Sequence, residues 1–327
     1  MDFTFTDVEL ELRDTVASVL DRRCDRRHLD QSAGGNATPR DLWSSLGRLG
    51  LVQALVPADA GGLGLDERSV VMIFEEAGRH ALPEPLAETM IAMPLLVGRD
   101  APAGPEAPPF PMVSTDLGGP LIPWAEEADL LLLQGAGRSL QVADASACQL
   151  EPVPTVDPTR RAARLVSVAH TRALAVEPEE VERASARGVM AAAATLVGLG
   201  QAMLDLTVSY VSQREQFGVK VGSFQAVKHH LAGAAVQLEF TRPAVYRSAW
   251  SLAVGSKDAA RDVSMAKAMA AEAADRVGRA CLQCHGAVGY TTEYDLHLFL
   301  KRSWALARSW GTAGEHRAVV GGFLGLG

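Results

Sequence analysis

Residues 212–232 read Ser-Gln-Arg-Glu-Gln-Phe-Gly-Val-Lys-Val-Gly-Ser-Phe-Gln-Ala-Val-Lys-His-His-Leu-Ala, and the reading of the whole chain turns on them. Upstream, residues 189–211 carry apolar side chains at Val197, Leu204 and Val208 with helical spacing, and Gly218 and Gly222 mark the turn that ends this helix. Ser223 is the expected N-cap of a second helix that turns Gln225, Val227 and Leu231 inward. A helix pair joined in this way presents Arg214 and Phe217 together at an exposed corner, one a cationic fork and the other a flat apolar face. A guanidinium suits a pyrophosphate because it is planar, always charged and donates two parallel hydrogen bonds. Taken alone, an arginine at a helix end is more often a solvated surface charge, so support must come from elsewhere in the chain.

The spacing Arg214-x-x-Phe217-Gly218-x-x-Val221-x-x-x-Gln225 resembles the signature of the acyl-CoA dehydrogenase family. Other stretches match the same family in the same order. In the N-terminal part, Trp43-x-x-Leu46-x-x-Leu49-Gly50-Leu51, Val56-Pro57, residues 61–65 (Gly-Gly-Leu-Gly-Leu) and residues 75–79 (Glu-Glu-Ala-Gly-Arg) resemble its helical N-terminal domain. These are packing residues and speak to fold. The resemblance implies a mainly α fold with a small β middle domain: a helical domain over residues 1–100, a linker and reduced β-domain over 101–178, and a C-terminal four-helix bundle over 179–327.

The composition fits such a chain. Its 327 residues suffice for two or three domains with ample core, and 48% hydrophobic with 21% charged residues is ordinary for a globular protein. A net charge of −8, from 31 basic and 39 acidic side chains, argues against nucleic acid or an anionic membrane surface as the main partner. The start of the chain leads into an acidic amphipathic segment rather than a basic, apolar leader, and the longest apolar run, residues 189–199, is too short to span a bilayer. Four cysteines, Cys24, Cys148, Cys281 and Cys284, do not make a secreted disulfide framework, so a reducing cytoplasm is expected.

Thr6-Asp7-Val8-Glu9 has the form of a capping box, followed by Val8, Leu12, Val16, Val19 and Leu20 at near-helical spacing. Thr38-Pro39 is an expected helix start, with Leu42, Leu46 and Leu49 on one face and Gly50 as the stop. A helix after Leu65 should bury Val70, Val71, Phe74 and Ala77. Residues 101–123 turn to Pro, Gly and Ala and read as a linker. Short β-like runs follow at residues 130–134, 140–142, 164–168 and 173–176. Here Pro123-Trp124-Ala125 and residues 157–160 (Asp-Pro-Thr-Arg) are similar to the family's middle domain. Its Thr-Glu-Pro-x-Ala-Gly-Ser-Asp segment, which holds the flavin ring, has no counterpart before Pro123, and the space between Leu86 and Pro123 is too short for one. A chain so shortened is expected to hold a flavin of its own poorly.

Residues 237–252 and 258–277 read as long bundle helices. Cys281-x-x-Cys284-His285 has the spacing of a haem attachment site, but attachment needs an exported chain, and a zinc site needs a second ligand pair. Set against the family, the stretch falls on Gln-x-x-Gly-Gly-x-Gly-[Tyr/Phe]. The resemblance then puts Gln283 and the backbone of Gly286 and Ala287 near the adenosine and pyrophosphate of a flavin bound to the neighbouring subunit, and makes the cysteines packing residues. No metal site is expected.

In this family a glutamate removes the α-proton of the acyl thioester while the β-hydride passes to FAD. That glutamate stands at one of two places. Residues 309–312, Ser-Trp-Gly-Thr, fall on the family's Tyr-Glu-Gly-Thr, putting Trp310 at the first place and Thr312 at its flavin-side threonine; counting back from Gln201 puts Gly188 at the second. Neither is a carboxylate. Glu293, Asp295 and Glu315 lie nearest in sequence to the first place, and Glu182 and Arg187 near the second; solvated or helix-capping roles are the expectation for the three acids. The resemblance is to the shortened subunit of heteromeric (α2β2) actinobacterial dehydrogenases acting on steroid side-chain CoA thioesters. It implies a subunit without a catalytic residue of its own, whose Arg214, Phe217, Gln225, Gln283, Gly286, Ala287 and Thr312 serve an FAD shared with a homologous catalytic partner, with an acyl-CoA substrate and an electron-transfer flavoprotein as the acceptor. The alternatives are a self-sufficient homomeric enzyme with a relocated base, and a purely structural subunit.

Overall fold

The fold is that of a computed structural model, which describes residues 4–34, 40–99, 108–135, 137 and 139–326. Five helices open it: α1 (Asp7–Arg23), α2 (Arg26–Ala33), α3 (Asp41–Arg48), α4 (Glu67–Arg79) and α5 (Leu86–Leu96). Thr6 caps α1 through the expected box, its hydroxyl accepting from the Glu9 N–H while the Glu9 carboxylate accepts from the Thr6 N–H. Val16 and Leu20 are buried, whereas Val8 is exposed. Leu42, Trp43 and Leu46 fill the inner face of α3, and Val70, Val71, Phe74 and Ala77 that of α4. The Thr38-Pro39 start lies outside the described residues.

The middle of the chain carries more strand than its composition suggests. Where residues 108–123 read as linker, two strands form instead, β1 (Val113–Thr115) and β2 (Ile122–Pro123). β3 (Leu130–Gln134), β4 (Leu140–Asp144) and β7 (Arg172–Leu174) join β1 in one sheet of order β1-β3-β4-β7. β5 (Cys148–Val153) and β6 (Ala162–Val168) join β2 in a second, of order β2-β6-β5. Ile122, Leu131, Leu133, Ala143 and Ala163 form a small core of their own between these sheets and their turns. The first part of the expected linker, residues 101–107, is outside the described residues.

Helix α6 (Pro178–Gln213) begins eleven residues earlier than the apolar run 189–199 implied and is the axis of the molecule. At 36 residues it is long and apolar enough to cross a membrane by length and composition, with a mean hydropathy of 1.5 over its most apolar 18-residue window, of which 72% is buried inside the protein. It is therefore a core helix. Its small residues let neighbours come close: a Cβ on Gly198 would overlap the Glu75 carbonyl of α4, and one on Gly78 would overlap the Thr195 carbonyl of α6. Beyond it lie a short hairpin, β8 (Glu215–Gln216) and β9 (Val219–Lys220), and the helices α7 (Gln225–Ala253), α8 (Ala259–His285), α9 (Leu296–Arg308) and α10 (Ala313–Phe323). Packing of α6, α7, α8 and α9 makes the C-terminal bundle. The architecture is thus mainly α with a β middle domain.

Candidate functional site

The corner after α6 is a two-residue hairpin turn. Phe217 and Gly218 have φ of +55° and +76°, the signs a tight hairpin of matching twist requires at both central positions. Glycine adopts this at no steric cost, whereas a phenylalanine there is strained. Its ring is 92% exposed and lies edge to face with Phe224, at 6.4 Å between centroids. Ser223 does not cap α7: its hydroxyl donates to the Lys220 carbonyl at 2.6 Å, and Phe224 takes the cap position without a side-chain bond. Gln225 is exposed rather than inward, Val227 and Leu231 are half-buried, and Val208 on α6 is exposed. The side chains of Arg214, Gln225 and Gln283 make no hydrogen bond or ion pair with any described residue. Residues 212–220 and 228–230 are exposed throughout.

The second stretch lies at the same end of the bundle. Gln283, Gly286 and Ala287 are exposed around the end of α8, where Gly286 turns the chain with φ +62°. The Tyr210 ring, four residues before Arg214, stacks on His285 at 4.5 Å, which ties the two stretches together. Cys281 and Cys284 are buried in this packing; the Cys281 thiol donates to the Met203 carbonyl of α6 at 3.3 Å, and burial pushes its pKa up to about 12.

The two places matched to the family's glutamate meet in space. Trp310 is 6% exposed, and its indole lies so close over Gly188 that a Cβ there would overlap the ring; a Cβ on Gly118 would stand 2.9 Å from it. Trp310 itself is held in a left-handed conformation, φ +59°. Its N–H donates to the Gly118 carbonyl at 2.8 Å, its carbonyl accepts from His316 Nε2 at 2.7 Å, and Arg160 donates to the Ser309 hydroxyl at 2.6 Å. Beneath the loop, Lys267 of α8 is 0% exposed and donates to the Ala307 and Gly311 carbonyls at 3.2 and 2.9 Å. Burial, with the charge of Arg160 adding to it, pushes this ammonium down to about 8.

What remains beside Trp310 is a cavity of about 40 Å³ bordered by Phe74, Leu82, Glu84, Trp124 and Thr195. Sites for drug-sized ligands occupy roughly 300–1,000 Å³, so neither an acyl thioester nor an isoalloxazine fits there as folded. Of the carboxylates along its wall, Glu84 accepts from His28 at 2.6 Å through one oxygen, the other being buried without a partner among the described residues, and Glu88 faces Arg160 at 3.6 Å. Arg302 of α9 binds Asp157, and both it and Arg160 stand over the Trp124 ring, at 5.7 and 5.4 Å. Of the acids near the first place, Glu315 and Thr312 form the capping box of α10, so the Thr312 hydroxyl and N–H are already bonded; Asp295 pairs with Arg26. Arg187, next to Gly188, is bonded to the buried Glu67 at 2.8 Å. Periodicity could have found Lys267, which falls on the apolar face of α8 with Val263, Ala270 and Ala274; nothing in the sequence announces the Tyr210–His285 stack.

A family model described as the acyl-CoA dehydrogenase N-terminal domain matches residues 6–100, and one described as the C-terminal domain matches residues 183–324. Acyl-CoA dehydrogenase IpdE2 of Mycobacterium tuberculosis is 30% identical over 303 residues, 91% of each chain. The chain belongs to the acyl-CoA dehydrogenase family. Among solved structures, the Tcur3481-Tcur3483 steroid ACAD superposes with a TM-score of 0.87 at 22% identity, covering 98% of both chains, and the ChsE4-ChsE5 complex from Mycobacterium tuberculosis with 0.84 at 21%, covering 99% of both. At that identity these two establish the fold. Acyl-CoA dehydrogenases are oxidoreductases acting on acyl-CoA, and FAD is their cofactor. The fit of this chain to FAD is one-sided: exposed, unpartnered donors at the corner, and a filled pocket beside Trp310.

Proposed function

We propose that this chain is the non-catalytic subunit of a heteromeric acyl-CoA dehydrogenase, α2β2 in composition, and completes the FAD site of a homologous catalytic partner. The observation that carries this reading is the contrast between its two ends. Arg214, Phe217, Gln225, Gln283, Gly286 and Ala287 are all exposed, and the side chains of Arg214, Gln225 and Gln283 bond to none of the described residues, while Trp310 fills the space beside Gly188 where this chain's own substrate and flavin ring would lie. Arg214 would hold the flavin pyrophosphate as a charged fork, Phe217 would cover apolar surface, and Gln225 and Gln283 would donate to polar edges. Thr312, bonded in its cap, is the weakest member of the set and would reach a flavin only by giving up that cap. The bound flavin supplies hydride acceptance from the β-carbon; this chain's residues supply grip and exclude water.

The α-proton is then taken by a base on the partner, since this chain has Trp310 and Gly188 at the two places for one. A bulky, polycyclic CoA thioester is the substrate class we favour, supported by the likeness to a steroid ACAD and to the ChsE4-ChsE5 pair. Electrons leave to an electron-transfer flavoprotein, and the complex works in the cytoplasm, where its four cysteines stay free. The test is the absorbance spectrum in the flavin band of the chain purified alone and co-expressed with its catalytic partner. The expected result is a colourless lone chain and a yellow pair with about one flavin per two subunits. A lone chain that carries a full flavin and turns over acyl-CoA overturns the reading in favour of a self-sufficient enzyme.

A further inference from the structure

Three cross-ties join the end of α6 to the segment around the end of α8. Cys281 donates to Met203, the Tyr294 hydroxyl donates to the Leu206 carbonyl at 3.2 Å, and His285 stacks on Tyr210 at 4.5 Å with only 16° between the rings. Tyr210 in turn accepts the Arg214 N–H at its carbonyl, 2.9 Å away. A continuous path therefore runs from Arg214 through Tyr210 to His285, which stands two residues from Gln283 and adjoins Gly286. His285 also lies against Tyr294, at 4.8 Å and 53°. Its Nδ1–H donates to the Cys281 carbonyl at 2.9 Å, which leaves Nε2 as a bare acceptor, buried and without a partner among the described residues. An unmade bond of this kind costs about 1–3 kcal/mol, so the ring is kept at this place against its own solvation.

We propose that His285 is a positioning residue: stacked on Tyr210, it holds the Gln283–Gly286 turn in register with Arg214 so that both grip the same end of one FAD. The proposal rests on the shared-site reading. It requires an uncharged ring. The groups facing His285 are Tyr210 from α6, Tyr294 from the segment before α9, and Cys281 and Cys284 from its own helix; Asp295 beyond Tyr294 is taken up by Arg26. None of these gives a hydrogen-bonded carboxylate to an imidazolium, and burial holds the ring below the ordinary histidine value. Protonation puts a charge into the stack, so the grip is complete above about pH 6.5 and is lost as pH falls through the lower folded value.

The experiment uses the co-purified pair stripped of flavin and titrated with FAD. Wild type, R214A, H285A and H285F are compared at about pH 7.5 and at stepwise lower pH down to about 4.5, well below the ordinary histidine pKa of about 6.5. H285A should weaken FAD binding about tenfold and H285F should restore it to within about threefold, a flat ring replacing a flat ring. Wild type should lose affinity at the lower pH relative to H285F. If R214A loses flavin while H285A binds it like wild type, the positioning role is overturned and the shared site stands. If R214A also leaves FAD binding unchanged, the shared site itself fails, and this proposal with it. Equal losses in H285A and H285F, with both variants folded by circular dichroism, place the requirement on the nitrogen and overturn the stacking role.

Discussion

Trp310 occupies the space that any side chain at position 188 would need. Each is compatible only with the other: the indole needs a glycine beneath it, and the glycine leaves a void without the indole.

Gly188→Ala should therefore destabilise the chain by about 1–3 kcal/mol through overpacking, and Trp310→Ala by about 3–5 kcal/mol through a cavity. The double variant should cost less than the sum, with a coupling of about 0.5–3 kcal/mol in urea denaturation. Simple additivity would mean that the contact is not there.

Arg214→Ala should strip FAD from the pair while leaving the melting temperature of the lone chain unchanged, because the side chain has no partner among the described residues. A lost charge-assisted contact of about 1.5–3 kcal/mol corresponds to roughly a 10- to 150-fold weaker FAD affinity. Arg214→Lys should recover only part of it, since an ammonium cannot donate as a fork.

Phe217→Gly should stabilise the lone chain by about 1 kcal/mol, relieving a left-handed phenylalanine, and should weaken flavin retention in the pair. Thermal melts of the subunit and flavin absorbance of the complex read the two effects separately. Lower stability in the lone chain would show that the strained conformation is held by contacts within the subunit.

Lys267 sets a pH dependence whose sign is fixed by burial. Its folded pKa, about 8, is below the ordinary lysine value, so between these two the unfolded chain binds the extra proton and stability rises with pH. Below about 8 both states are protonated and the penalty is constant. Wild type should gain relative to Lys267→Met as pH is raised from about 8 to about 10, with a slope of at most about 1.4 kcal/mol per pH unit. Parallel curves would show that the fold does not lower the Lys267 pKa, the side chain staying charged over this range as it does in the unfolded chain.

Much of the helical frame was legible because periodicity and caps are local: Thr6 with Glu9, the apolar face of α4 and the break at Gly50 need no distant partner. The strands were harder. Val113–Thr115 and Ile122–Pro123 are two or three residues long and lie in a proline-rich stretch, and β5 carries Pro152 yet survives because it is the edge of its sheet. Val8, Val208 and Gln225 were expected inside on helical spacing and are outside, since spacing defines a face but not what covers it. At the site, the sequence singles out Trp310 and Gly188 by resemblance alone, and it does not tell that the two touch. Nor could the burial of Lys267 beneath the loop, or the ring stack beside Gln283, be read without the packing of α6 on α8.

The exposed apolar side chains of the hairpin and of α7 carry a consequence for how this polypeptide is made. Phe217, Phe224, Val236 and Phe240 stand in solvent on the single chain, large apolar side chains of the kind that drive indiscriminate self-association. On the shared-site reading, subunit made in excess of its partner is the sticky species, and balanced synthesis of the two polypeptides, rather than the fold of either, sets how much of this chain stays in solution.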